Sequence, residues 1–353
     1  MKLSINLNSN PYDIIIKEGL SKNISKYLEE FNIGQKFILC YSFNLDQYVE
    51  KIFLNLKNQN YDVVKLKLKD GENYKSLEYV KQISAELMSL NCQKDSILLA
   101  FGGGTVGDII GFVSSIYMRG VKYINIPTTF LSMVDSSIGG KNGVNFNNYK
   151  NILGTIYQPK KVLIDPLFLK SLESKHLKSG LGEVVKYGLI SDKSLLNDIA
   201  QNYSCITQLN NVSIFEKIIY KSCSIKKKFI EKDEFDEGYR NILNFGHTLG
   251  HLIESKYQDK NITHGESVLI GICLTLKLSR YKNLMSVKIF DSIMHSLNIF
   301  KINKNYKLCT SDLKKIKYDK KSNSKIMRFI LLKNYEKPLI YDDISIEDLE
   351  KII

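Results

Sequence analysis

Three of the chain's five histidines fall in one window. His247 and His251 stand in Asn244-Phe-Gly-His-Thr-Leu-Gly-His251, and His264 follows in Thr263-His-Gly-Glu266. Four residues apart on a helix, His247 and His251 would share one face. Such a concentration of imidazoles suggests a metal centre. A catalytic zinc commonly takes three protein ligands of the His or carboxylate type and keeps one position open. His247 and His264 are the natural nitrogen pair. The best third candidate is Glu183 in Gly180-Leu-Gly-Glu-Val-Val-Lys186-Tyr-Gly188, where Glu183 and Lys186 share a face of a mostly apolar helix. A buried carboxylate and lysine need partners, which a metal and an anionic substrate would supply. A structural ion pair between the two would satisfy the spacing equally well. His251 is a further possible ligand, in the manner of the second His of H-E-x-x-H. Thr248 stands where that motif has its Glu, so this is not that motif. His176 and His295 stand alone and read as surface or core residues.

A second group of residues suits an anion. Gly102, Gly104 and Gly107 in Phe101-Gly-Gly-Gly-Thr105-Val106-Gly-Asp108 have G-x-G-x-x-G spacing, after an apolar run and before a helical one over Ile109 to Met118. Glycines let the backbone approach a pyrophosphate, and a helix N-terminus favours its charge. The acidic residue that usually follows on the next strand is missing. Asp70-Gly71-Glu72-Asn73-Tyr74-Lys75, at the end of the preceding strand, could contact ribose and adenine instead; a plain charged loop would read the same. Arg119, the Ile126-Pro-Thr128-Thr129 run, the loop Val134-Asp135 to Lys141-Asn142 and Tyr149-Lys150-Asn151 add small, charged and amide side chains at strand ends. Together these favour phosphate and hydroxyl binding.

The elements that must position these groups alternate in the first half. Strand patterns at 13–17, 36–41, 62–68, 96–101, 123–126 and 162–164 alternate with helical periods at 21–31, 45–59 and 76–90. The expected fold class is a Rossmann-like parallel-sheet domain, 1–165, followed by an all-helical metal- and substrate-binding domain, 166–353. A small hairpin is expected near Met327–Leu332. Such an arrangement suggests a ligand cleft between the domains.

Composition excludes some classes. Across 353 residues, 44% are hydrophobic and 25% charged, as in an ordinary globular protein. No apolar run is long enough for a membrane span and the first residues lack a signal-peptide core, so no membrane role and a cytoplasmic address are expected. The net charge of +13 comes from scattered lysines without a basic, aromatic-laced arm, which argues against nucleic acid and suits an anionic small molecule. The six cysteines form no C-x-x-C pair and read as free thiols.

In order, the chain carries D-G-E-x-x-K from Asp70, G-G-G-x-x-G-D, M-R-G, P-T-T, D-S-S-x-G-G-K, K-N, Y-Q-P, G-x-x-E-V-x-K-Y-G, N-F-G-H-T-x-G-H, H-G-E and D-K-K. From about Asp70 to Lys321 it closely resembles the 3-dehydroquinate synthase family, within the sugar-phosphate cyclases. The resemblance implies an NAD- and metal-dependent lyase using Zn2+ or Co2+. Its substrate would be an anionic sugar phosphate, 3-deoxy-D-arabino-heptulosonate 7-phosphate, and its products 3-dehydroquinate and phosphate. The family's route is transient oxidation, β-elimination of phosphate, re-reduction, ring opening and aldol closure. It also implies a homodimer, with Arg119 serving the neighbouring subunit. Carried over residue by residue, Asp70, Gly71, Glu72, Asn73, Tyr74, Lys75, Gly104, Thr105, Val106, Gly107, Asp108, Thr128, Thr129, Lys141, Lys150, Phe168, Leu169, Lys170 and Ser171 match nucleotide contacts. Glu183, His247 and His264 match the metal ligands. Asp135, Asn151, Lys186, Lys226, Arg240, Asn244, His251 and Lys320 match substrate positions, with His251 handling protons, so that the two helical histidines have different tasks. Gly182 departs from the pattern, standing where the family usually has Ala.

Overall fold

The computed structural model describes residues 1–147, 149–303, 305–313, 316 and 327–353. Contacts divide the chain into two compact units: Met1–Leu172 with Leu209–Lys227, and Glu173–Gln208 with Lys228–Ile353. The expected cut at residue 165 therefore moves. The turn Pro166–Ser171 belongs to the first unit because Asp165 caps it, accepting from Leu167 N at 3.1 Å. Most of a later helix, Val212–Lys232, also returns to that unit.

The first unit is built on a seven-stranded sheet. Its strands are β1 (Lys2–Ile5), β2 (Tyr12–Ile16), β3 (Lys36–Ser42), β4 (Asp62–Leu68), β5 (Ile97–Gly102), β6 (Lys122–Pro127) and β9 (Lys161–Ile164), in the order β1-β2-β9-β6-β5-β3-β4. All neighbours pair in parallel except β1 with β2. The intervening β7 (Lys141–Phe146) and β8 (Tyr149–Ile156) form a separate antiparallel hairpin. Helices α1 (Asp46–Asn58), α2 (Leu77–Ser89) and α3 (Gly104–Ile116) make the crossovers. β5 is buried at every position, as a central parallel strand must be. Ile38, Leu98 and Ala100 pack with Ile83 of α2 and Ile110 of α3 on one face, while Phe37 and Leu39 are buried on the other. The order reverses between β3 and β5, and the crevice outside the carboxyl ends at such a point is where open α/β sheets bind ligands.

Two expectations change here. The helix expected over 21–31 is a 3-10 turn, Leu20–Tyr27. Ser21 does not cap a helix; its N–H and hydroxyl both donate to Asp165, at 3.0 and 2.6 Å. The end of the stretch read as a loop, Lys141-Asn142, opens β7, and Tyr149-Lys150-Asn151 opens β8 of the same hairpin.

The second unit is helical apart from the expected small hairpin, Met327–Leu332 with Pro338–Ile344. Its helices are α4 (Ser174–Ile190), α5 (Lys193–Thr207), the C-terminal end of α6 (Val212–Lys232), α7 (His247–Lys256), α8 (His264–Tyr281) and α9 (Val287–Leu297), with short turns after Cys309 and Ser345. Small residues let the central helices cross closely. A Cβ on Gly265 of α8 would lie 1.9 Å from the Ser179 carbonyl oxygen of α4, and one on Gly271 would lie 2.0 Å from the Gly246 carbonyl oxygen before α7. No described helix is long and apolar enough to cross a membrane.

The end of α7 is held by Lys256, whose Nζ lies 2.7 Å from Asp312 Oδ2. Burial alone would raise the Asp312 carboxyl, but hydrogen bonds from Cys309 and Lys256 bring it down to about 2. Since this lies below the unfolded value of about 3.9, its stabilisation is complete above that pH and is lost as pH falls toward 2. Because Lys256 is 28% exposed, we expect Asp312→Asn to cost only roughly 1–2 kcal/mol at pH 7. In urea melts the gap from the parent chain should narrow as pH falls from about 4 to about 2. A gap independent of pH would show that the carboxylate charge contributes nothing.

Candidate active site

The α4–α8 and α7–α8 crossings bring three side chains together. Glu183 projects from α4, His247 opens α7 and His264 opens α8, and their donor atoms lie within 4.8 Å of one another. Glu183 is fully buried. Its Oε1 is 3.4 Å from His247 Nε2 and 3.3 Å from His264 Nε2, while Lys186 Nζ pairs with Oε2. Neither carboxylate oxygen accepts a well-formed hydrogen bond. Burial pushes this carboxyl up, but the charge of Lys186 and then the imidazoles outweigh it and hold it well below the usual range. His247 is pushed down by burial and by Lys186. For His264 burial also opposes the charged form, but carboxylates on both ring nitrogens, Glu183 and Glu254, overcome it.

The other face of each imidazole is occupied. His247 Nδ1 lies 3.2 Å from the Phe245 carbonyl oxygen, and His264 Nδ1 lies 3.2 Å from Glu254 Oε2. His251 sits one turn along α7, its ring centroid 5.4 Å from that of His247 and 5.9 Å from that of His264. It is exposed and does not join the Glu183 group. Glu254 was not singled out from sequence. Its signal was present: His247, His251 and Glu254 follow i, i+4, i+7 spacing, one face of a helix. Before α7, Arg240 is 2% exposed and its guanidinium donates to the Glu234 carbonyl oxygen at 2.7 Å; Asn244 is exposed.

In the first unit the glycine turn lies at the switch point. α3 starts at Gly104, five residues before the expected Ile109, so Thr105 to Asp108 form its first turn. A Cβ on Gly104 would crowd Ser136 Oγ at 3.0 Å. At the end of β3, Ser42 Oγ donates to Asp70 Oδ2 at 2.6 Å, a partner the sequence did not reveal. Lys75, 4% exposed, reaches both Asp108 Oδ2 and Asn151 Oδ1 at 2.5 Å. Lys226 of α6 donates to Asp135 Oδ1 at 2.6 Å. Thus Lys75, Asp108 and Asn151 converge, as do Asp135 and Lys226. Glu72 accepts from Asn145 at 2.8 Å, and Thr128 N–H donates to Gly102 O at 2.9 Å. Gly71, Asn73 and Tyr74 lie in the turn after β4, Val106 is in the core, Thr129 bonds Ser132, and Lys141 and Lys150 are exposed on the hairpin. Phe168 and Leu169 are core side chains, Phe168 packing edge-on against Phe101 at 5.1 Å, so only their backbone could meet a ligand. Lys170 and Ser171 are exposed.

Arg119 sits on a strained turn. Met118 and Arg119 both have positive φ, 47° and 60°, and Lys94 Nζ donates to the carbonyls of Met118, Arg119 and Gly120. Lys320 falls outside the described residues. A separate cavity of about 490 Å³ in the helical unit is lined by Lys178, Tyr203, Glu266, Phe300 and Lys301 among others; it takes in none of the three clustered donors.

Solved structures define the class of fold. A 2-deoxy-scyllo-inosose synthase described with carbaglucose-6-phosphate, NAD+ and Co2+ matches with TM-score 0.89 at 23% identity, covering 100% of this chain and 99% of that one. A 2-epi-5-epi-valiolone synthase from Streptomyces hygroscopicus subsp. jinggangensis 5008, with NAD+ and Zn2+ bound, matches with TM-score 0.88 at 22% identity, covering 98% and 97%. The chain shares the fold of these two synthases. Sequence narrows it further. The family models for the 3-dehydroquinate synthase N-terminal and C-terminal domains match residues 65–179 and 180–322. The 3-dehydroquinate synthase of Clostridium tetani (strain Massachusetts / E88) is 40% identical over 98% of this chain and 92% of its own length. That of Streptococcus thermophilus (strain ATCC BAA-491 / LMD-9) is 42% identical over 81% and 80%. The chain belongs to the 3-dehydroquinate synthase family.

Proposed function

We propose that this chain converts 3-deoxy-D-arabino-heptulosonate 7-phosphate to 3-dehydroquinate and phosphate, with NAD and a divalent metal. The observation that carries the metal half is the buried Glu183 carboxylate, with Lys186 on its Oε2 and two imidazole Nε2 atoms converging on its Oε1 at 3.3–3.4 Å, too long for good hydrogen bonds. A divalent ion fits a donor set of one carboxylate and two imidazoles, and that set leaves a position open. The glycine turn opening α3 fits a pyrophosphate. When bound, NAD supplies a reversible hydride acceptor, and Zn2+ or Co2+ a Lewis acid for substrate hydroxyls.

Everything else falls to the chain's own side chains. Residues Asp70 to Lys75, Gly104 to Asp108, Thr128, Thr129, Lys141, Lys150 and the backbone of Phe168 to Ser171 hold the nucleotide. Glu183, His247 and His264 hold the metal. Lys186, Lys226, Arg240, Asn244 and Asn151 offer the cations and amides that a carboxylate and a phosphate need, and Asp135 orients Lys226. Lys320 is assigned to the same group. His251, exposed beside the two ligand histidines, takes and returns a substrate proton. We assign Arg119 to the phosphate of the neighbouring subunit in a homodimer; Ile116 and Met118, both exposed, flank it as apolar contact surface.

The test is phosphate release and dehydroquinate formation from the heptulosonate phosphate, with and without chelator. One phosphate per dehydroquinate is expected, without net NADH. Chelation should stop both, and Zn2+ or Co2+ should restore them. Accumulating NADH would mark a net dehydrogenase instead, and full activity after chelation would remove the metal from the mechanism.

A further inference from the structure

We propose that Glu254 is the positioning residue of the metal centre: it holds His264 in the one tautomer that can bind the ion. The inference rests on the metal reading above. His264 has carboxylates on both sides, Glu254 Oε2 3.2 Å from Nδ1 and Glu183 Oε1 3.3 Å from Nε2. An imidazole binds metal through a nitrogen lone pair, so one ring nitrogen must carry the proton and the other must not. An acidic partner accepts only from a protonated nitrogen. Glu254 therefore keeps the proton on Nδ1 and leaves Nε2 for the side on which Glu183 and His247 lie.

The two histidine ligands are held differently. His247 has a neutral backbone carbonyl, that of Phe245, beside its Nδ1. His264 has a carboxylate there, which makes its imidazole the stronger donor. Both His247 and Glu254 are on α7, while His264 is on α8. One face of α7 thus supplies a ligand directly and orients a second ligand on its neighbour.

A rival role for the same residue is direct ligation. His251, Glu254 and His264 also bring donor atoms within 4.8 Å of one another. In that arrangement His264 Nδ1 would lose its proton, and a second ion would sit beside the first.

Titration of the metal-free, full-length protein with Zn2+ against a chromophoric chelator separates these. The parent chain should bind one equivalent. Glu254→Ala should bind it roughly 10- to 100-fold more weakly. Glu254→Gln, whose amide oxygen still accepts from Nδ1–H, should lose less. The Co2+ absorption spectrum of Glu254→Ala should shift while the melting temperature of its metal-free form stays near the parent's, which a purely structural role would not produce. Parent-like zinc affinity in Glu254→Ala would overturn the proposal. Two equivalents in the parent and one in the variant would overturn it in favour of ligation. A parent chain that binds no zinc would overturn the metal reading along with it.

Discussion

Replacing Glu183 with glutamine is expected to remove bound metal and turnover together, with a loss of at least about 10³-fold in kcat/KM, equivalent to about 4 kcal/mol of transition-state stabilisation. The amide keeps the shape but not the charge. Three cationic or donor groups face this one buried carboxylate: Lys186 and the Nε2 atoms of His247 and His264. Glutamine also leaves Lys186, 2% exposed, without its counter-charge. Breaking one side of a buried pair costs on the order of 3–5 kcal/mol, so the variant should melt earlier even without metal. His247→Ala separates the two effects. It removes a ligand without orphaning a charge, so metal and turnover should fall similarly with a smaller loss of stability. Metal content by emission spectrometry, kcat/KM and melting of metal-free protein check this. Either variant turning over at the parent rate without metal would sink the assignment.

Gly265→Ala is expected to have the second largest effect, although it adds only a methyl group. The new Cβ would lie 1.9 Å from the Ser179 carbonyl oxygen and 2.6 Å from its carbon. These are backbone atoms and cannot rotate away, so α4 and α8 must part. Overpacking of this kind costs about 1–3 kcal/mol, sometimes more. The parting also separates Glu183 from His264, and a shift of about 1 Å in a catalytic group costs roughly 10²-fold in rate. A lower melting temperature and weaker zinc binding should therefore appear together. Gly34→Ala is the control, because its Cβ would make only an ordinary contact, 3.5 Å from Asn32 Oδ1, and it should change stability by less than about 0.5 kcal/mol. Parent-like zinc affinity in Gly265→Ala would show that helix spacing does not set the ligand geometry.

These helix crossings also mark how far the sequence could be read. The strands β2 to β6 and β9 were legible because their apolar runs are short, β-branched and bounded by turn residues. The ligand trio was legible as residue types; its choice over a Glu183–Lys186 ion pair came from the family resemblance, and the structure shows that pair and the imidazoles around a single carboxylate. The β7–β8 hairpin was not legible. Gly143 and Gly154 face each other across it, where a Cβ on either would meet the partner's backbone, and glycine carries no strand signal. The departure at Gly182 was visible but had no meaning in sequence. In three dimensions its Cβ would lie 2.4 Å from the Gly265 carbonyl oxygen, so alanine there needs a wider crossing than this chain has. Glu254 was overlooked because a carboxylate on a helix surface is ordinarily solvated; only His264, from another helix, gives it a role.

The division of the chain carries a thermodynamic consequence. Glu183 and His247 belong to the helical unit, but the segment Leu209–Lys227 between them belongs to the sheet unit. An ion held by Glu183 and His247 would close a ring of chain that runs out into the other unit and returns. Such a clip restricts the unfolded ensemble as a cross-link does, and long loops gain most from closure in principle. Metal loading would then fasten together the two separated stretches of the helical unit, 173–208 and 228–353, and the metal-free chain would enter unfolding with more freedom between them.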